Sequence, residues 1–461
     1  MANLRRREFI KLAGIQGAGL AAAQTGSGAQ LPNFIVYMSD DHGMLFSEPY
    51  GSTAVRTPNL AKLAAEGMKF THAFNVSPSC GPSRSAMLTG LWPARNGAEP
   101  NHQAPRADTT GLLTKLQALG YEVAIFGKIA HNDFAKYYKA DVVVGPNVGT
   151  VKTDTVEKYL AERKSSKPLA LFFGSHYPHV PWVENEGYDA ATVQLPPELV
   201  DTPETRRQCT QYYSSVTRTD KLMGEFRALT QKYLSKNSLF VYTTDHGAQW
   251  PFAKWDLYDA GIRLPFLMAW EGKLKAGSVS DAMVCLPDLL PTFIELAGGR
   301  VPDGLDGKSF AGLVRGTAKK HREHVFNTHS GDRDFNVYPI RSMRTREWKY
   351  IWNLHPEFQH HTHDTRHAVG NGVKYWNTWL EAEKTDAHAA AVVKRFVERP
   401  SEELYDLKAD PHELHNLAAE PKQAKRVATM RAELKAWMKL QGDTERVFGK
   451  PLMKGDPVTM M

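Results

Sequence analysis

Cys80-Gly81-Pro82-Ser83-Arg84-Ser85-Ala86-Met87-Leu88-Thr89-Gly90 is the stretch from which this chain can be read. It joins a lone cysteine to a turn-setting Gly-Pro pair, then to an arginine and a short apolar run. Gly81 and Pro82 are expected to break regular structure just after the cysteine, with Ser83 as N-cap of the helix that follows. A cysteine ahead of a helix N-terminus, with a guanidinium close by, occupies an electropositive pocket suited to anions. Taken alone, such a cysteine is more often a buried core residue than a reactive one. The decision rests on what the flanking segments carry.

Asn33–Ser39 is an apolar run of strand length, and a near-continuous run of this kind suits a central strand covered on both faces. It ends in Asp40-Asp41-His42-Gly43, where two adjacent carboxylates are costly without a cation, although Asp and Gly are also common in solvated turns. Ser238–Thr244 is a second such run and ends in Asp245-His246-Gly247. Tyr121–Phe126 leads into Gly127-Lys128-Ile129-Ala130-His131, and Leu169–Gly174 into Ser175-His176-Tyr177-Pro178-His179. Helical spacing is found over Leu112–Leu119 and Arg207–Tyr233, with Tyr212 and Tyr213 read as core. Buried strands alternating with helices predict an α/β fold, whose sites sit at the carboxyl ends of the strands. From about Arg300 the composition shifts to short strands, loops and many histidines. Glu347–Leu354 there reads as a strand of a smaller sheet, and residues 422–440 as a closing helix.

The 461 residues are enough for a large core and more than one domain or subdomain. Cys80, Cys209 and Cys285 cannot all pair and have no zinc-site spacing, so no disulfide framework is expected. The net charge is +7, of which Arg5, Arg6, Arg7 and Lys11 against Glu8 supply +3. The remainder suits a polyanionic substrate and is too small to argue for nucleic acid. Arg6-Arg7-Glu8-Phe9-Ile10-Lys11 is similar to a twin-arginine export pattern; an apolar Leu12–Ala23 segment and Ala21-Ala22-Ala23 follow it as a cleavage site. That segment is too short to span a bilayer, which takes about 20 apolar residues, so no stable membrane anchor is expected. Residues 1–30 are therefore read as an export signal, and the protein as periplasmic or secreted.

The opening stretch resembles the signature of the type I sulfatases of the alkaline-phosphatase-like superfamily, Cys/Ser-x-Pro-Ser/x-Arg-x-x-x-Leu-Thr-Gly, position by position. The resemblance continues through Asp40-Asp41, Gly127-Lys128 with His131, Pro178-His179-Val180-Pro181, Asp245-His246 and the run from Lys254 to Pro265. It covers about Asn33 to Leu440. It implies a large mixed, mostly parallel sheet flanked by helices (31–320), with a smaller C-terminal α+β subdomain carrying an antiparallel sheet (321–461) that completes the substrate pocket. In that family the cysteine is oxidised to formylglycine, an aldehyde whose hydrate attacks the sulfur of a sulfate ester.

Carried over residue by residue, the resemblance implies a divalent cation on Asp40, Asp41, Asp245, His246 and converted Cys80, with Ca²⁺ before Mg²⁺. Arg84, Lys128 and Lys254 would balance the sulfate charge. His179, together with Lys254, would protonate the leaving atom, and His131 would assist sulfate release; His176, the second match to the histidine motif, would line the pocket or support its loop. The implied partners are a sulfated saccharide, a formylglycine-forming maturation enzyme and the twin-arginine export machinery. Tyr338–Arg346, Arg399-Pro400 and Glu403–Asp406 are similar to the sulfamidases of glucosamine N-sulfate. Those proteins carry Asn where His246 stands and another residue where Lys254 stands. Two other readings share the motifs: a phosphonate monoester or phosphodiester hydrolase, and an inactive sulfated-glycan-binding protein. His360-His361-Thr362-His363 is expected to be a solvated loop rather than a metal patch, and Arg95, His102, His329 and Arg333 are candidates for a saccharide pocket.

Overall fold

β1 (Asn33–Ser39) is buried at every residue, as its unbroken apolar sequence requires of a strand covered on both faces. It lies inside an eight-stranded sheet in the computed structural model, which describes residues 30–145 and 150–461. The expected export signal falls outside the described residues. The other strands are β2 (Met68–Phe74), β3 (Glu122–Gly127), β4 (Val142–Val144), β5 (Leu169–Gly174), β6 (Ser238–Thr244), β7 (Arg263–Ala269) and β8 (Ser278–Cys285). Their order across the sheet is β4-β3-β5-β1-β6-β7-β2-β8. β1 pairs in parallel with β5 and β6, whereas β7 runs antiparallel to both β6 and β2, so the sheet is mixed and mostly parallel as expected.

Alternate residues of β1 serve opposite layers. Phe34 stacks on Phe293 of the helix Leu289–Leu296 at 4.3 Å between ring centroids. On the other face, Tyr37 and Phe173 meet Phe226 of the 31-residue helix Pro203–Tyr233. That helix starts earlier than its apolar spacing indicated, because Thr202 caps it by accepting the Thr205 N–H at 3.2 Å.

Register decides where the strand-end motifs go. Ser39 lies opposite Thr244, Met38 opposite Gly174, and Gly127 opposite Gly174. β3, β5, β1 and β6 therefore end level, in neighbouring lanes about 4.8 Å apart. The β3 and β5 ends also approach too closely for side chains. A Cβ on Gly174 would stand 2.2 Å from the Lys128 backbone, and Gly127 itself has φ +72°.

The Cys80 helix spans Cys80–Thr89 with all ten residues buried, and it corrects the expected local structure. The helix begins at the cysteine. Pro82 does not break it, because the first turn needs no N–H donor. Ser83 is not its N-cap: Ser79 precedes the helix, and the Ser83 hydroxyl donates to the Asp245 carbonyl at 2.7 Å.

β9 (His324–His329), β10 (Ile340–Thr345), β11 (Trp348–Asn353) and β12 (Glu402–Asp406) form an antiparallel sheet in the order β12-β11-β10-β9. One face packs Met343, Tyr350 and Leu404 onto the helix Ala424–Gln441. The other puts Val325, Ile340 and Ile351 into the same core as Phe74, Trp92 and Trp250. Helices Asn371–Ala382 and Ala387–Val397 occupy a region expected to hold loops and short strands. The histidine tract is not a solvated loop either. His360 and His361 are buried, and His360 packs beside Asp256 and Arg399. All three cysteines are buried and free, and no helix among the described residues is long and apolar enough to cross a membrane.

Candidate active site

The level strand ends bring the four motifs together beneath the Cys80 helix. Asp40, Asp41, Cys80, Asp245 and His246 are all buried, and each offers one ligand atom within 4.8 Å of the others. Asp41 adopts φ +68°, and Tyr212 holds its loop by donating to the Asp41 carbonyl at 2.9 Å while accepting the Gly43 N–H at 3.0 Å. Tyr212 is thus a core residue, as expected, that also shapes the site. His246 Nδ1 lies 3.0 Å from the Gly247 carbonyl, which can only accept, so that nitrogen carries the proton. Nε2 is left with a lone pair, 3.3 Å from Asp41 Oδ1 and 3.2 Å from Cys80 Sγ.

Three cations brace these groups. Arg84 is fully buried and joins Asp245 Oδ2 at 2.9 Å to Asp40 Oδ1 at 3.0 Å. Lys128 reaches Asp40 Oδ2 at 2.6 Å, and Lys254 reaches Asp41 Oδ2 at 2.7 Å. Phe252 and Trp255, flanking Lys254, both take left-handed φ values, a strain that marks a backbone held for its site. Burial works to raise Asp40, but Lys128 and Arg84 hold its carboxyl well below the usual carboxylate range. Asp245 is raised by burial, which the charges of Arg84 and His246 only partly offset. The Cys80 thiol is pushed up by burial despite the nearby Lys128. A plain thiolate nucleophile is therefore disfavoured here.

The donor set fits a divalent cation. Asp41 Oδ1 is buried with no hydrogen-bond partner, and the His246 lone pair faces it. A cation there would satisfy both and would reverse the burial cost that raises Asp245. Asp40, His176 and His179 also lie within 4.8 Å of one another, but Lys128 already takes Asp40 Oδ2, so a second cation would face an ammonium.

A cavity of about 480 Å³ opens over Cys80. Lys128, His131, His179 and Lys254 line it together with His102 and Arg333, whereas Arg95 and His329 do not. Arg95 is paired with Asp306 at 2.7 Å, and His329 is buried against Asn336. His179 Nδ1 lies 2.6 Å from the Val180 carbonyl, which fixes its proton on that nitrogen; His176 approaches Asp40 at 3.4 Å. Burial, then Lys254 and Lys128, lower His179 well below the usual histidine range. His131 is lowered in the same way by burial and Lys128. Its Nε2 meets His102 Nδ1 at 2.7 Å, and His102 Nε2 meets Asp332 Oδ1 at 3.3 Å. The carboxylate only accepts, so with one proton on each ring the chain of donors leaves His131 Nδ1 as a bare lone pair. That atom is buried and has no partner.

A family model described as "Sulfatase" matches residues 32–299. A second, described as "N-sulphoglucosamine sulphohydrolase, C-terminal", matches residues 246–367. An ulvan-active sulfatase of Formosa agariphila is 31% identical over 446 residues, covering 92% of this chain and 84% of that protein. This chain belongs to the sulfatase family. The human N-sulphoglucosamine sulphohydrolase is 26% identical over 455 residues, covering 88% of this sulfatase and 89% of that enzyme. The sulfatase also shares its fold with a protein solved in complex with its substrate D-glucosamine-2-N,6-O-disulfate. The TM-score is 0.69 at 20% identity, with 90% of this chain and 99% of that one covered. A phosphonate monoester hydrolase from Silicibacter pomeroyi has the same fold, with a TM-score of 0.67 at 18% identity and 90% and 96% coverage. The sulfatase is a sulfuric ester hydrolase.

Sequence reasoning missed the residues that hold the sulfatase site from outside its motifs. Asn101 accepts the Gly81 N–H at 2.9 Å and donates to Asp332 at 2.9 Å, and Trp255 donates to the same carboxylate at 2.8 Å. Gln249 joins Lys254 at 3.2 Å to Asp364 at 3.2 Å. Gln249 was findable, three residues beyond His246. Asn101 and Asp332 lie in turn-rich segments and Asp364 in the short helix His363–Arg366, with no sequence pattern to mark them.

Proposed function

We propose that this sulfatase removes an O- or N-linked sulfate from a carbohydrate. In this reading Cys80 has been oxidised to formylglycine, and a divalent cation, Ca²⁺ before Mg²⁺, is held by Asp40, Asp41, Asp245, His246 and residue 80. The observation that carries the reading is the convergence of those five groups with Arg84, Lys128 and Lys254, of which Cys80, Lys128 and Lys254 line one cavity. Three carboxylates suit a hard cation, and the nitrogen of His246 makes the set softer than oxygen alone. When present, the cation supplies Lewis acidity and the hydrated aldehyde supplies the nucleophilic oxygen.

The remaining roles belong to the chain's own side chains. Lys128 and Lys254 hold the sulfate oxygens and offset charge that spreads over them in the transition state. Arg84, fixed between two carboxylates, keeps the Cys80 helix docked on the sheet ends. His179 has its Nδ1 proton engaged by Val180, so Nε2 is the atom that passes a proton to the leaving oxygen or nitrogen. Burial, with the two lysines, keeps it neutral beforehand, and an arriving sulfate offsets the lysine charge and favours the protonated ring. His131, with its bare Nδ1, takes a proton when sulfate is released.

The relatives support a carbohydrate substrate: one is named for ulvan and another for N-sulphoglucosamine. A cavity of about 480 Å³ has room for a sugar beyond the sulfate. The twin-arginine pattern supports export to the periplasm or beyond, with Cys80 converted before export. Mass spectrometry of the Cys80 peptide tests the first step; an unmodified thiol in active native protein overturns the formylglycine mechanism. A panel of defined sulfated saccharides, with an aryl sulfate and an aryl phosphonate at matched metal, tests the second. A strong phosphonate preference rejects the sulfate assignment.

A further inference from the structure

Deepening the sulfated-carbohydrate reading, on which it rests, we infer that Arg333 forms a second anion subsite at the mouth of the cavity. It would take a further acidic group, a carboxylate or a second sulfate, that the saccharide carries beside the scissile one.

The charges on the cavity floor are already engaged. Lys128 belongs to Asp40 and Lys254 to Asp41, and a bound sulfate shares those ammonium groups. Arg333 lines the same cavity, is exposed, and its guanidinium has no carboxylate partner among the described residues. An unpaired guanidinium presents a planar fork of donors matched to a carboxylate or sulfate.

Its backbone is held in place rather than free to wander. Arg333 has φ +50° at the tip of a tight reversal in which Asp332 and Asn336 exchange backbone hydrogen bonds at 2.8 and 3.2 Å. The Asp332 side chain anchors that reversal to the cavity wall through Asn101, Trp255 and His102. On the C-terminal side, Arg366 donates to the Asp334 carbonyl. The reversal therefore fixes the Arg333 Cα relative to the catalytic floor, which lowers the entropy lost when the side chain closes on an anion.

Beside it stands an uncharged wall. His363 is stacked between Phe335, at 4.0 Å, and Trp255, at 4.8 Å. Burial pushes the His363 imidazole down to about 4, so at neutral pH it adds a flat ring and no charge. The cavity thus sets an uncharged aromatic wall, which Phe335 and His363 both line, beside one permanent positive charge. That is the arrangement expected for a saccharide with more than one acidic group.

The test uses the matured, metal-loaded enzyme hydrolysing an aryl sulfate, with three saccharides as competitors. These are glucosamine 6-sulfate, glucosamine 2-N,6-O-disulfate, and glucosamine 6-sulfate linked to glucuronic acid. The readout is the ratio of inhibition constants between the singly and the doubly acidic compounds. In the wild type at least one doubly acidic compound should bind about tenfold tighter or more, and which one does so identifies the group as sulfate or carboxylate. Arg333→Ala should collapse that ratio to within about twofold, and Arg333→Lys should keep part of it by retaining charge without the fork. A wild-type ratio near one for both compounds, or a ratio that survives in Arg333→Ala, overturns the subsite. If aryl sulfate is hydrolysed and no saccharide competes, the carbohydrate reading fails and the subsite with it. If the saccharides compete without a charge preference, only the subsite fails.

Discussion

The Nε2 atom of His246 lies 3.2 Å from the Sγ atom of Cys80, with its other ring nitrogen tied to the Gly247 carbonyl. One imidazole lone pair is thereby aimed at the group the motif is built around. His246→Ala should weaken activation by divalent cation, and by more than the roughly 10–100-fold typical for loss of an outer partner. His246→Asn should recover activity and shift preference toward Ca²⁺ over softer ions. Metal-activation titrations of the two variants decide this, and unchanged titrations would remove His246 from the ligand set.

Cys80→Ala should abolish turnover while leaving the fold and cation binding largely intact. Cys80 touches its neighbours mainly through sulfur at 3.2–3.6 Å, and the carboxylates and His246 remain in place. Retained turnover would sink the proposed chemistry.

The Asp332–His102–His131 chain sets which nitrogen of His131 is free. His102→Ala removes that control, and kcat is expected to fall by about 10–100-fold with KM changing less. The acid limb of the pH–kcat profile should move as well. A loss confined to KM would make the chain a packing feature of the cavity.

Asp364 is buried, and burial raises it to about 7 against the opposing pull of Gln249 and Lys254. The native state then holds this proton more tightly than the unfolded chain, whose Asp titrates near about 4. Its stabilising contribution is complete below about pH 4 and is lost as pH rises through 7. Asp364→Asn keeps an acceptor for Gln249 and cannot ionise. Relative to wild type it should gain stability between pH 4 and 8, by up to roughly 4 kcal/mol. Urea unfolding at pH 5 and pH 8 measures it; equal slopes for both proteins would place the shift elsewhere.

Arg84→Ala leaves Asp40 and Asp245 buried without their shared cation, which costs about 3–5 kcal/mol for a broken buried pair. Added Ca²⁺ should restore part of that loss by supplying positive charge to the same carboxylates. Thermal melts with and without Ca²⁺ check both halves, and a melt insensitive to the substitution contradicts the bracing role.

The sequence alone determined the strand-end motifs, because seven-residue apolar runs such as Asn33–Ser39 and Ser238–Thr244 must be buried whatever surrounds them. The polar residues that follow such runs then fall at the strand ends. The alternation of buried strands with helices marked an α/β fold, and the resemblance carried by short contiguous motifs named the candidate ligands. Tertiary structure decided the rest. The order β4-β3-β5-β1-β6 and the register of Ser39 on Thr244 make four distant motifs neighbours, and neither is encoded in local periodicity. Burial of His360 and His361 depends on Asp256, Arg399 and the helices 371–397 closing over them, so a polar tract that looked solvated became core. Asp332 becomes a hub only when Asn101, 231 residues away, and Trp255, 77 residues away, fold onto it. Local sequence sets what each segment must bury; only long-range pairing sets which side chains share a cavity.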